Sequence, residues 1–175
     1  MTTVCTVLDV LVSKLGFNIP CKAVEKGLSE AKNPGRLEIV DTQKYGEILL
    51  DGAHNEDGVT ALQQHLVKER AKRRNDSICF IMGLSGHKNP KRFISLLGCK
   101  QGDVVVPVSF SQPEGMPWIH SMDPSLIGKA TEYYLDCGGS LEMALESVDR
   151  SKTPLVVVCG SLYLVAEFYR LLSLS

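Results

Sequence analysis

The sequence predicts an α/β fold: a Rossmann-like, mostly parallel sheet with helices on both faces and a β-hairpin at its N-terminal edge. Three observations carry this. From residue 46 onward, strand-like and helix-like segments alternate, the pattern of βαβ crossovers. The runs at 78–82, 104–108 and 155–159 are almost unbroken Val, Ile, Leu and Phe stretches, as in strands buried on both faces. RLEIVD (36–41) and GEILLDGA (46–53), joined by the polar TQKY, read as an antiparallel pair.

Each element follows in order. Val4, Leu8, Leu11 and Leu15 recur at helical spacing, and Gly16 acts as a stop. CKAVEKGLSEA (21–31) is a second short helix, and Asn33-Pro34-Gly35 breaks the chain. The break divides a helical piece, 1–33, from the main domain, 34–175. After the hairpin, EILL leads into a helix over 57–74, and SICFIMG into a helix over PKRFISLL (90–97). DVVVPVSF leads through a Pro-rich loop to helices over DPSLIGKATEYYL (123–135) and SLEMALESV (140–148). LVVVC leads to the last helix, LYLVAEFYRLL (162–172).

At 175 residues the chain fits one domain plus a small appendage, and it can bury a core without disulfide or metal staples. Nineteen basic residues against twenty acidic ones give a net charge of −1, which argues against a protein that coats nucleic acid. None of the six cysteines forms a C-x-x-C pair, so zinc-knuckle and thioredoxin-like chemistry is excluded. Cys79 and Cys159 lie inside apolar runs and read as small buried hydrophobes, which fits a reducing compartment such as the cytosol. No apolar run approaches the length of a membrane helix, and the first residues do not read as a signal peptide.

In open parallel sheets, ligands bind beyond the carboxyl ends of the strands. Four segments take those positions: DGAHNEDG (51–58), GLSGHKNP (83–90), SFSQPEGMPW (109–118) and GSLYL (160–164). In the first, Asp51 ends a strand, Gly52-Ala53 turn tightly, and His54 and Asn55 precede a helix whose N-terminal amides are free. Asn55 suits an N-cap, with Glu56 and Asp57 in the first turn. On the residues alone, Asp51 and Asn55 either bind a ligand or merely hold the turn, and the two readings stand level. Lys88 precedes a helix start, where a lysine meets a carboxylate or phosphate or else lies solvated in a loop. GLSGHK lacks Walker spacing. Ser161 is an N-cap by default, and the same helix start also suits a carboxylate. KERAKRR (68–74) reads as a solvated helix end, its cations placed for the helix dipole. Tyr163, Phe168 and Tyr169 read as core and rim.

PGRLEIV (34–40), ILLDGAHNEDGVTAL (48–62) and VVVCGSLYLVAEFYRLL (156–172) together resemble the C-terminal domain of the folylpolyglutamate synthase/dihydrofolate synthase family of Mur-type amide ligases. The resemblance covers nearly the whole chain in order, and DGAHN and GSLYLVAE are its more specific motifs. Glu56 stands where the family often has proline. MPWIH (116–120) and the compact domain look most like the fungal dihydrofolate synthases. Residues 1–33 resemble the two helices that close the family's central domain. On this reading the chain is a truncated one, without the P-loop domain.

The resemblance implies a Mur ligase C-terminal domain within an enzyme that uses ATP and Mg2+ to join L-glutamate to dihydropteroate through an acyl phosphate. It places Arg36 and Asp51 at the nucleotide, His54 at the γ-phosphate and the attacking amine, and Lys88, Ser161 and Tyr163 at glutamate. Metal ligands fall mostly in other domains, so no metal residue is assigned. The implied partners are L-glutamate and dihydropteroate or folate, with no nucleic acid and no membrane. The implied state is a monomer in the cytoplasm, or in the mitochondrion given a targeting segment. The isolated chain is expected to be inactive. The alternatives are a folylpolyglutamate synthase, a Mur-type ligase acting on another acid, and a non-catalytic α/β binding module.

Overall fold

The computed structural model describes residues 2–174. The chain divides into two compact units between Asn33 and Pro34. The first holds α1 (Thr2–Ser13) and α2 (Cys21–Glu30). Helix α1 ends before Leu15, and Gly16, at φ 69°, follows in a left-handed conformation. Val4, Val7, Val12, Leu15 and Phe17 are exposed, and α2 buries no residue.

The second unit is built on a five-stranded sheet in the order β1-β2-β5-β3-β4. Strands β1 (Glu38–Thr42) and β2 (Gly46–Asp51) form the antiparallel hairpin. Strands β3 (Ile78–Met82), β4 (Val104–Pro107) and β5 (Leu155–Cys159) run parallel with β2. All five residues of β3 and of β5 are buried, because helices cover both faces. Alternate side chains define two cores. Leu49, Phe80, Met82, Val157 and Cys159 pack with α3 (Glu56–Ala71), α4 (Pro90–Leu97) and α5 (Pro124–Gly128). Ile48, Leu50, Ile81, Val156 and Val158 pack with α6 (Leu141–Glu146) and α7 (Leu162–Leu174). Burying each large apolar side chain stabilises the fold by about 1.5–3 kcal/mol relative to leaving it exposed. Cys79 and Cys159 belong to these cores, and burial pushes the Cys79 thiol up to about 12.

Three expectations need correction. The helix expected over 123–135 stops at Gly128, because the next residues are recruited by the sheet edge. Val105 donates to the Tyr133 carbonyl at 2.6 Å, and Leu135 donates back to Val105 at 2.9 Å. This extended segment covers the open edge of β4. The helix expected over 57–74 ends at Ala71.

The basic run 68–74 is solvated only in part: Lys68, Lys72 and Arg74 are exposed, while Arg70 and Arg73 are drawn into ion pairs. Arg70 makes two hydrogen bonds, at 2.9 and 2.6 Å, to Asp103, whose side chain is fully buried. Asp103 also accepts from the amides of Ile78 and Lys100, both at 2.9 Å, so it ties the end of α3 to the start of β3. Glu69 is buried between Lys72 at 2.5 Å and Arg73 at 2.7 Å. These two cations hold its carboxyl at about 2. Arg150 fixes the hairpin through the carbonyls of Tyr45 (2.5 Å) and Glu47 (2.8 Å).

Candidate functional site

Strand β5 lies between β2 and β3, so the loops leaving these three strands emerge side by side at the carboxyl edge of the sheet. The topology thus brings together loops that lie far apart in the sequence. The loop after β4 folds over them: Gly86 donates to the His120 carbonyl at 2.9 Å, and Met122 donates to Leu84 at 2.7 Å.

The loop after β2 is tightly determined. Asp51 is 5% exposed, and both its oxygens accept backbone amides, Oδ1 from Ala53 and Oδ2 from Leu37, each at 2.8 Å. Burial pushes its carboxyl above the usual range, and the two amides and the charge of Arg36 oppose that shift. A Cβ at Gly52 would fall 2.2 Å from Leu162 Cδ2, so only glycine lets α7 approach this turn. His54 Nδ1 lies 2.8 Å from the Gly52 carbonyl. A carbonyl can only accept, so Nδ1 carries the proton and Nε2 keeps its lone pair in the neutral ring. Asn55 caps α3 by accepting from Gly58 at 2.8 Å.

The loops after β3 and β5 fit against each other. Gly160 has φ 105°, and a Cβ there would lie 2.5 Å from the Gly83 carbonyl. Ser161 is 2% exposed and accepts from the Tyr163 amide at 3.1 Å, so it does cap the start of α7. Asn89 caps α4, accepting from Arg92 at 3.1 Å, and Pro90 takes the first helical position. Lys88 is half-buried just before that cap. Tyr163 rests against Phe110, with ring centroids 5.7 Å apart, and donates to Met116 Sδ at 3.3 Å.

The result is a cavity of about 300 Å³ lined by His54, Ser85, His87, Lys88, Ile119, Ser161, Leu162 and Tyr163. A second lobe of about 310 Å³ shares His54, His87 and Lys88 with it and runs between α3 and α4 over Val59, Phe93 and Leu96. Arg92 and Glu56 rim this lobe in a two-bond pair at 2.9 and 3.0 Å, which lowers the Glu56 carboxyl.

Four of the residues singled out in the sequence, His54, Lys88, Ser161 and Tyr163, therefore line one cavity. Arg36 and Asp51 are not among its lining residues. They sit together on the hairpin side, where Asp51 holds the amide of Leu37 beside Arg36. Sequence reasoning passed over His87, Ser85 and Ile119. The signal for His87 was its place between Gly86 and Lys88 in a loop already marked as ligand-facing. Ile119 reaches the cavity from a long loop whose path the sequence does not specify. Among the described residues, no three His, Cys, Asp or Glu side chains converge as a metal site.

Residues 36–171 match the family described as "Dihydrofolate synthetase, C-terminal domain". The chain belongs to this family. Among its relatives, the probable dihydrofolate synthetase of Schizosaccharomyces pombe is 33% identical over 97% of the chain and 41% of that protein. The dihydrofolate synthetase of Saccharomyces cerevisiae is 31% identical over 94% of the chain and 41% of that protein. The domain thus spans about two fifths of these relatives. A bifunctional folylpolyglutamate synthase/dihydrofolate synthase from Yersinia pestis, complexed with AMPPNP and manganese, shares the fold of this chain. It has a TM-score of 0.69 and 20% identity, over 90% of the chain and 36% of that protein.

Proposed function

We propose that this chain supplies the glutamate-binding surface, and part of the nucleotide-binding surface, of an ATP-dependent ligase that joins L-glutamate to dihydropteroate in folate biosynthesis. The carrying observation is the single cavity that joins a half-buried lysine, a capped helix start and an imidazole with a free nitrogen. That set matches glutamate, which brings carboxylates and an amine that must lose protons to form an amide.

A carboxylate does not react directly with an amine, because hydroxide would have to leave. ATP supplies the phosphoryl group that activates the dihydropteroate carboxylate as an acyl phosphate. The residues of this chain then do three things. Lys88, together with Ser161 and the α7 amides, holds the glutamate carboxylates. Tyr163, fixed by Phe110 and Met116, closes the side of the cavity. His54 Nε2 accepts the proton that the amine gives up as the C–N bond forms and phosphate departs. Nδ1, bound to Gly52, fixes the ring in the tautomer this requires.

The exposed Arg36 suits the nucleotide, and Asp51 holds its loop and keeps acceptor capacity for ribose hydroxyls. On this reading magnesium is held mainly by the other domains of the ligase, and no step assigned to these residues depends on it. On the same reading, residues 1–33 belong to the ligase domain that precedes this one. The protein is, on this reading, a cytoplasmic monomer that binds no nucleic acid; six cysteines without a disulfide fit a reducing compartment, and a net charge of −1 fits a protein that does not coat nucleic acid. No helix among the described residues is long and apolar enough to cross a membrane.

The test is His54→Gln in the full-length ligase. Losing a proton acceptor should lower kcat by about a hundred-fold or more, with the KM for ATP nearly unchanged. An unchanged kcat refutes the role given to His54.

A further inference from the structure

The loop carrying Arg36 is held from both sides, and two of the groups holding it have no role in the site described above. The Gly35 amide donates to Glu38 Oε2 at 2.7 Å. The Tyr169 hydroxyl donates to the same oxygen at 2.6 Å. Gly52 donates to the Gly35 carbonyl at 2.7 Å, and Leu37 donates to Asp51 at 2.8 Å. Leu37 has φ 46°, a left-handed conformation that a leucine adopts only when its surroundings impose it. Between these fixed points, Arg36 is exposed.

We propose that Glu38 and Tyr169 are positioning residues that aim Arg36 at the nucleotide; this rests on the reading of Arg36 given above. Glu38 is the first residue of β1, and its carboxylate accepts from the loop amide and the tyrosine. Tyr169 lies on α7, the helix that begins beside Ser161, so one rigid element supports both the arginine loop and the cavity. The ring is set by Phe168, edge-on with centroids 6.0 Å apart. Burial and the Glu38 carboxylate push the tyrosine hydroxyl up to about 12, so it remains a donor throughout the working pH range. A flexible side chain such as arginine loses less entropy on binding when its backbone is already fixed, and fixing that backbone is what these contacts achieve.

The experiment is a double-mutant cycle in the full-length ligase, reading the KM values for ATP and glutamate and the melting temperature. Arg36→Ala should raise the ATP KM by about ten-fold or more, and Tyr169→Phe by a smaller factor of about three- to ten-fold, with glutamate KM and kcat little changed. Glu38→Ala should behave as Tyr169→Phe does, and Glu38→Gln, which keeps an acceptor oxygen, should recover most of that loss. In the Arg36→Ala background, Tyr169→Phe should add nothing, because its effect passes through the arginine. If Tyr169→Phe multiplies the ATP KM equally in both backgrounds, or lowers only the melting temperature, the positioning role is overturned while the nucleotide role of Arg36 stands. If Arg36→Ala leaves the ATP KM unchanged, the assignment of Arg36 fails first and the positioning role falls with it.

Discussion

Lys88→Met removes one positive charge from the cavity and keeps most of the side-chain stem. The ammonium sits on a half-buried residue, beside a helix start and the pair His54 and His87. There it is screened less than a surface lysine would be. One charge-assisted hydrogen bond from such a group to a carboxylate is worth about 1.5–3 kcal/mol net, or roughly ten- to a hundred-fold in affinity. The fold should hardly notice the change, since α4 is started by Asn89 and Pro90 and not by the lysine side chain. The assay is phosphate release by the full-length ligase, with glutamate varied at saturating ATP and dihydropteroate, alongside a thermal melt. The expected result is a glutamate KM raised by about ten- to a hundred-fold, an ATP KM within about threefold of wild type, and an intact melting temperature. A glutamate KM that does not move, or that rises only in step with the ATP KM, refutes the reasoning.

Ser161→Ala should show both roles of that residue in thermal melts and kinetics: about 1 kcal/mol of stability lost with the cap, and a glutamate KM raised beyond any change for ATP. Arg70→Met leaves the Asp103 carboxylate buried without its cation and should cost about 3–5 kcal/mol in denaturant unfolding, far more than a surface arginine would. The Glu69 carboxyl is held at about 2 in the fold, below its usual 4.5. Its contribution is therefore complete above about pH 4.5 and fades as pH falls toward 2. Thermal melts across that window should show wild type losing more stability than Glu69→Gln, and equal losses would contradict the ion-pair assignment.

The legibility of the fold and the site follows from where the determining forces lie. Strands β3 and β5 were visible because burial on both faces demands unbroken apolar runs. The caps Asn55 and Ser161 were visible because capping is local chemistry. The segment 129–135 was misread as helix because its pairing with Val105 is a tertiary contact that local propensity does not record. Arg70 was read as solvated because its partner, Asp103, lies 33 residues away. Loop motifs placed His54, Lys88, Ser161 and Tyr163 at strand ends, and the strand order, with β5 between β2 and β3, makes them one cavity. Nothing local separates Arg36 and Asp51 from that cavity; the separation comes from the hairpin leading away from it.

In the proposed function, glutamate occupies the cavity between Lys88 and Ser161, with its amine at His54. The most direct measurement is a crystal structure of the full-length ligase with L-glutamate and a non-hydrolysable ATP analogue. The predicted result has a glutamate carboxylate at Lys88 and Ser161, and the amine within about 3.2 Å of His54 Nε2 or bridged to it by one water. Glutamate bound away from these three side chains would contradict it.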